Sequence, residues 1–189
     1  MKLIYKIWRP FAIWFSNFHW NYALKTCSLN GTDYMKVGES RTKYIKRIAE
    51  NIMNAFRYKH DGFDELGDTI PPPAEAYFLY TQHELKDDCD GFHAALYHAA
   101  ELNNIECKLL EVFSTRNFFG HCVLLFNDNG WKICDYTNVM DLNEAYDYYL
   151  DKTKGKFVTY EVVWNGEKYR TKEVKDAFNR RKNCDTGNK

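Results

Sequence analysis

The sequence predicts an α+β fold in which a central helix packs on an antiparallel sheet. A run that begins near Asp87 and ends at Asn103-Asn104 has apolar residues at helical spacing, which predicts an amphipathic helix. Its apolar face comprises Phe92, Ala95, Leu96, Ala99 and Leu102. Strand-like runs over 105–113, 121–126 and 131–135 follow, and their alternation and turns indicate antiparallel pairing.

The composition is that of one globular domain without a charge bias. The chain has 189 residues, enough for a real hydrophobic core. Its 26 Lys and Arg residues balance its 26 Asp and Glu residues, so no net field steers it toward nucleic acid or an anionic membrane. We therefore expect no nucleic-acid partner.

The first 24 residues are apolar and aromatic, but Lys6, Arg9 and Pro10 interrupt them. They are too broken for a membrane span of about 20 apolar residues, and no small-residue cleavage site follows. We expect a first helix that packs on the core. Membrane contact by residues 1–24, as an interfacial helix, stays open as the alternative.

A helix, a loop and one short element are predicted between that segment and Asp87. Ser40 is a plausible N-cap for a helix over 41–58. A turn-rich connection through Asp61-Gly62 and Gly67-Asp68 leads to Pro71-Pro72-Pro73, which should forbid regular structure. Residues 76–80 predict a short strand or a turn of helix.

Cys89 lies in the first turn of the predicted central helix. Backbone N–H groups and the positive end of the helix dipole favour a thiolate there, and the same N–H groups can face an oxyanion. The neighbouring Asp87, Asp88 and Asp90 disfavour further negative charge unless their side chains cap the helix.

The turn Asn127-Asp128-Asn129-Gly130 decides whether His121 and Asp135 can act together. A type I turn with a left-handed bulge residue places Asn127 opposite Trp131. His121 then shares a face with Asp135, within side-chain reach, whereas a two-residue turn puts them on opposite faces.

Cys89, His121 and Asp135 therefore form a candidate catalytic triad of thiol nucleophile, base and orienting carboxylate. His93 is the alternative base, because it lies four residues after Cys89 on the same helix face. His121 is preferred, because His93 has no obvious orienting carboxylate.

The segment from about Lys86 to Tyr136 resembles the core of the transglutaminase-like superfamily, papain-like cysteine enzymes with a Cys, His, Asp triad. Asp-Asp-Cys-Asp-Gly-Phe opens the helix, Gly120-His121-Cys122-Val123 carries the base and Gly130-Trp131-Lys132-Ile133-Cys134-Asp135 carries the carboxylate. The resemblance implies a papain-like or transglutaminase-like core, over 76–136, in a single domain over 1–189. Extra helices over 1–60 precede this core.

The resemblance also implies attack of Cys89 on an amide carbonyl of a peptide or protein substrate, through a thioester intermediate. Release to water is hydrolysis, the favoured outcome, and release to an amine is crosslinking. Gln82 is a candidate oxyanion donor, by analogy with upstream glutamines of papain-like folds. The alternative is a non-catalytic module that keeps the fold as a binding or structural unit.

The cysteines indicate a reducing, cytoplasmic compartment. Their spacings match no disulfide framework and include no C-x-x-C pair. A zinc site built from Cys89, His93, His121, Cys122 and Cys134 is disfavoured, because Cys122 and Cys134 should face away from His121 and Asp135. We expect no metal and no cofactor.

Residues 137–189 predict a helix, a hairpin and a basic tail. The helix covers 142–150. Asn165-Gly166 between alternating runs over 157–164 and 167–172 predicts a two-residue type I′ turn. The basic residues beyond it are expected to be a solvated face; they are Lys172, Lys175, Arg180, Arg181 and Lys182.

Overall fold

The computed structural model describes residues 10–11, 13–14, 17, 27–59, 70–117, 119–165, 168–174 and 177–178. Most of the segment 1–24, the turn-rich loop over 60–69, Gly166 and the basic tail beyond residue 178 lie outside these described residues. Predictions on those parts stay predictions.

Helix α1 (Arg41–Ala55) begins as predicted at Ser40, whose Oγ accepts a hydrogen bond from the Lys43 N–H at 3.3 Å. It ends three residues earlier than predicted. The reason is that β1 (Arg57–Tyr58) pairs in parallel with β2 (Lys86–Asp87), which requires an extended backbone.

Helix α2 (Pro73–Thr81) shows that the prediction of no regular structure at the proline triplet was wrong. Pro73 is the first helical residue, where a missing N–H costs nothing and the fixed φ suits a helix. Residues 76–80 are therefore helical, which resolves the alternative left open by the sequence.

Helix α3 (Cys89–Leu102) is the predicted central helix, and it packs on a six-stranded antiparallel sheet. The strands are β3 (Cys107–Ser114), β4 (Gly120–Asn127), β5 (Trp131–Asp135), β6 (Asn138–Asp141), β7 (Phe157–Trp164) and β8 (Tyr169–Glu173). Their order in the sheet is β6-β5-β4-β3-β7-β8. The α+β class is thus confirmed.

The β4–β5 turn has the register on which the site depends. Asn127 lies opposite Trp131 and Leu125 opposite Ile133, as predicted. Left-handed backbone begins one residue earlier than the predicted Gly130, since Asn129 has φ 55° and Gly130 has φ 138°. Asn tolerates this conformation well, so the register is preserved.

The sheet separates two hydrophobic layers. The helices α1 to α3 pack on one face, with Leu124, Phe126 and Cys134. Helix α4 (Leu142–Lys152) packs on the other through Ala145 and Tyr149. Because successive strand residues point to opposite faces, the β4 residues Val123 and Leu125 contact the α4 layer.

The β7–β8 hairpin forms, but its pairing differs from the prediction. Trp164 lies opposite Tyr169, not opposite residue 167 as a two-residue turn at Asn165-Gly166 requires. The observed pairing buries Tyr169 at 3% exposure. Its hydroxyl donates to the Pro71 carbonyl at 2.5 Å.

Ile13 and Asn17 anchor the described part of the N-terminal segment. Ile13 is buried at 8% exposure and packs with Ile70, Leu109 and Cys122. Asn17 donates through Nδ2 to the Tyr169 carbonyl at 3.0 Å and accepts through Oδ1 from the Tyr169 N–H at 2.8 Å. Across the described residues, no helix has the length and apolarity needed to cross a bilayer.

Candidate active site

The start of α3 is capped by three aspartates. Asp88 accepts the Asp90 N–H at 3.1 Å, Asp87 accepts the Asp88 N–H at 2.9 Å and Asp90 accepts the Gly91 N–H at 2.8 Å. Their carboxylates are thus turned to backbone amides, the condition under which they oppose a thiolate least. The amides of Asp90 and Gly91, predicted as possible oxyanion donors, are engaged by this capping.

Gly91 makes the close packing of Asp87 on the helix start possible. A Cβ at this position would lie 2.6 Å from the Asp87 Cγ and would also meet its Cβ. A larger residue would therefore displace the carboxylate from the cap.

The Cys89 sulfur lies at the end of β5, beside β4. The β4–β5 ladder runs from Asn127 opposite Trp131 to Leu124 opposite Cys134. Beyond it, the Cys122 N–H donates to Cys89 Sγ at 3.3 Å. An amide donor on sulfur stabilises its negative charge. The thiol is partly exposed, so a reagent can reach it.

His121 and Asp135 are joined directly, as the predicted register requires. His121 Nε2 lies 2.6 Å from Asp135 Oδ1. The second carboxylate oxygen, Oδ2, accepts the Tyr149 hydroxyl at 2.9 Å. Both oxygens of Asp135 are therefore held, which fixes the orientation of the carboxylate.

The charge state of Asp135 follows from these contacts. Burial raises the pKa of this carboxyl, but the hydrogen bond and positive charge of His121, the charge of His93 and the Tyr149 hydrogen bond outweigh it. The net result is a pKa below the ordinary value. Asp135 is thus ionised at neutral pH and can stabilise a protonated His121.

His93 is fully buried and both of its ring nitrogens are engaged. Nδ1 lies 2.6 Å from the Cys89 carbonyl oxygen, and Nε2 accepts the Tyr136 N–H at 3.0 Å. This pattern defines a neutral tautomer with the proton on Nδ1. Burial lowers the pKa of His93 to about 4, with a further contribution from His121. These contacts leave the alternative base poorly suited to take a thiol proton.

Tyr136 connects the two histidines through its backbone. Its φ of 51° is rare for a bulky residue, and such strain of about 1–3 kcal/mol persists where contacts hold it. Here the Tyr136 N–H bonds His93, while the preceding residue, Asp135, bonds His121. The left-handed turn thus positions a hydrogen-bond partner for each of the two imidazoles.

Gln82 is not brought to the other candidate residues by its described contacts. It caps the C-terminal end of α2, is exposed, and its Nε2 donates to Thr81 Oγ1 at 3.4 Å. An oxyanion role for Gln82 stays a prediction.

Two contributors to the site could not be singled out from the sequence. Tyr149 belongs to a tyrosine cluster on α4, but the sequence does not show which tyrosine meets Asp135. The Cys122 amide is a backbone group and leaves no residue-type signal at all. Both are located by the packing of the sheet between α3 and α4.

The acidic group at the helix start is the cluster nearest to a metal-ligand arrangement among the described residues. Ligand atoms of Asp87, Asp88 and Asp90 lie within 4.8 Å of one another. Helix capping accounts for the placement of all three. Cys134, one of the candidate zinc ligands, lies in the helix-side core, where burial raises the pKa of its thiol.

Comparison with known proteins gives a limited likeness. No family model and no curated protein matches the chain. A solved structure from Cytophaga hutchinsonii, described as a proposed cysteine protease, is 15% identical with a TM-score of 0.40. The match covers 60% of this chain and 37% of the other, so this chain matches little more than a third of that protein. The described helices and six-stranded antiparallel sheet are consistent with a papain-like fold.

Proposed function

We propose that this chain is a cysteine-nucleophile hydrolase or acyltransferase that acts on an amide carbonyl of a peptide or protein. Cys89 is the nucleophile, His121 the base and Asp135 the orienting carboxylate, as in the transglutaminase-like superfamily that residues 86–136 resemble. One observation carries the proposal: His121 Nε2 lies 2.6 Å from Asp135 Oδ1, next to a strand position whose amide binds the Cys89 sulfur.

The proton path follows from the contacts of His121. Because Nε2–H donates to the ionised Asp135, the lone pair of the neutral ring is on Nδ1. In the proposed reaction Nδ1 takes the Cys89 thiol proton and later returns it to the leaving amine. The Asp135 carboxylate stabilises the imidazolium formed between these two transfers.

The covalent step is attack of the Cys89 thiolate on the carbonyl carbon, which gives a thioester after the amine leaves. Water then releases a carboxylic acid, or a second amine releases a new amide. We favour water, so hydrolysis is the proposed main outcome and crosslinking the secondary one.

Alkylation by iodoacetamide at neutral pH tests the nucleophile without a known substrate. We expect one fast-reacting cysteine, Cys89, and a rate lower by about 10²-fold in His121→Ala, because the base no longer takes the proton. His83→Ala is the matched control, since His83 is an exposed imidazole at the end of α2. It should leave the rate unchanged.

Slow and equal labelling of all cysteines would contradict the proposal and favour the non-catalytic module. If Cys89 reacts fast, a panel of peptide acyl donors with and without a primary amine distinguishes the two outcomes. Hydrolysis releases the carboxylic acid at the same rate with and without the amine, whereas crosslinking yields an amide of the added amine.

A further inference from the structure

We propose that Cys89 and Cys122 form a reversible disulfide under peroxide, so that Cys122 is a resolving cysteine for the nucleophile. This goes beyond the proposed acyl transfer and shares with it the reactive Cys89 thiol. Cys122 directly follows His121 on β4.

The geometry brings the two cysteines together. The Cys122 backbone nitrogen lies 3.3 Å from Cys89 Sγ. Within Cys122, three covalent bonds separate this nitrogen from the side-chain sulfur. In disulfides the two Cα atoms are about 4.4–6.8 Å apart. The contact between Cys89 Sγ and the Cys122 N–H is compatible with such a separation.

Both side chains also lie on the α3 side of the sheet. Cys122 is 2% exposed and packs with Leu109 and Ile13, and Cys89 packs against the same cluster. His121 precedes Cys122 on β4, so its side chain leaves the strand in the direction opposite to that of the Cys122 side chain. A link between Cys89 and Cys122 therefore would not need to pass through the His121 imidazole.

The difference in exposure sets the order of events. Cys89 is partly exposed and Cys122 is buried, so peroxide reaches Cys89 first. Its thiolate is oxidised to a sulfenic acid while the peroxide O–O bond is reduced. The Cys122 thiol then attacks that sulfur, the S–O bond breaks, an S–S bond forms, and the thiol proton leaves with the hydroxyl group as water.

The other described cysteines are unsuited to this reaction. Burial raises the pKa of Cys107 to about 12 and also raises the pKa values of Cys27 and Cys134. These thiols are protonated at neutral pH and react slowly.

The experiment treats the full chain with hydrogen peroxide, blocks remaining thiols and digests with trypsin without reduction. Cleavage after Lys and Arg separates Cys89, in fragment 87–108, from Cys122, in fragment 117–132. We expect these two fragments to be joined in the mass spectrum and to separate after dithiothreitol. Iodoacetamide labelling of Cys89 should be lost and then recovered in parallel.

Fragment 87–108 also contains Cys107, so Cys107→Ser is the matched control and should still give the joined fragments. Cys122→Ala and Cys122→Ser should abolish them, and Cys89 should then proceed to sulfinic acid that dithiothreitol does not reverse. Thermal unfolding shows which of the two Cys122 variants is folded.

Oxidised wild type with sulfinic Cys89 and no joined fragments, or joined fragments that are lost in Cys107→Ser, would overturn the proposal. The wild-type measurement alone suffices if both variants unfold. Because the readout needs no substrate, failure to form the disulfide leaves the acyl-transfer proposal intact, and absence of acyl transfer leaves the disulfide testable.

Discussion

Two imidazoles lie near Cys89, and their surroundings are opposite in kind. The ring centroids of His93 and His121 are 5.9 Å apart. His93, inside α3, bonds two backbone groups, the Cys89 carbonyl and the Tyr136 N–H. His121, at the start of β4, bonds the carboxylate of Asp135.

The chemistry of the hydrogen-bond partners therefore decides which imidazole is suited to act as a base, more than its distance from Cys89 does. A buried neutral ring between backbone groups loses a hydrogen bond when it gains a proton, and burial penalises the charge. An ionised carboxylate, in contrast, stabilises the protonated form of an imidazole that is hydrogen-bonded to it.

Asp135→Asn should have the largest effect, because it removes the partner that distinguishes His121. We expect the Cys89 alkylation rate, or the turnover of any acyl substrate found, to fall by about 10²–10⁴-fold. Asn has nearly the same shape, so circular dichroism should be unchanged. The rate is measured under excess reagent at neutral pH.

Asp141→Asn is the matched control for that variant. Asp141 is an exposed carboxylate on β6, with Lys132 3.6 Å away. A comparable loss of rate in Asp141→Asn, or an unchanged rate in Asp135→Asn, would contradict the role given to Asp135.

Acid should destabilise the protein through His93. Its pKa in the folded chain is about 4, against an ordinary value of 6.5. Between these values the unfolded chain binds a proton that the folded chain does not. The free energy of unfolding therefore falls as pH drops from about 6.5 to about 4, by up to about 3 kcal/mol. Urea unfolding at a series of pH values measures it.

His93→Gln should flatten this dependence, since Gln does not titrate and its amide can still donate to one backbone group and accept from the other. The slope should not vanish, because burial also lowers the pKa of His98. His98→Gln is the control and should keep the larger part of the slope. An unaltered slope in His93→Gln would show that His93 is not the titrating group.

Tyr149→Phe should have the smallest effect of the three. It removes the hydrogen bond to Asp135 Oδ2, which helps to lower the pKa of that carboxyl. We expect a loss of about tenfold in the alkylation rate. The acid limb of its pH profile should shift to higher pH, a change that a purely structural role would not produce.

Tyr148→Phe provides the comparison for that variant. Tyr148 is the neighbouring residue on α4, is 39% exposed, and its ring contacts Lys152. Its pH profile should match the wild type. If both tyrosine variants shift the profile equally, the Tyr149 hydroxyl has no special role.

The predictable parts of the fold are those that local chemistry determines. The Asp88 cap and the apolar spacing set the start and face of α3, and the turn before Trp131 sets which β4 residues share a face with Asp135. The helix start at Pro73 and the pairing of Trp164 with Tyr169 depend on distant contacts. The bond from the Tyr169 hydroxyl to the Pro71 carbonyl is an example.

The candidate site divides in the same way. His121 beside Asp135 follows from strand register, which the sequence encodes in one turn. Tyr149 reaches Asp135 from α4, on the side of the sheet opposite to α3. Tertiary packing determines which of the neighbouring tyrosines on α4 makes this contact. The occupation of both His93 nitrogens needs the strained Tyr136 backbone, which no pattern of residue types reveals.

Asn17 has a consequence for how the protein behaves at high concentration. Strand β8 is an edge of the sheet, and edge strands offer unpaired N–H and C=O groups on which strands of other molecules can assemble. The Asn17 amide occupies both backbone groups of Tyr169, as a neighbouring strand would. One side chain thus closes part of the edge to self-association.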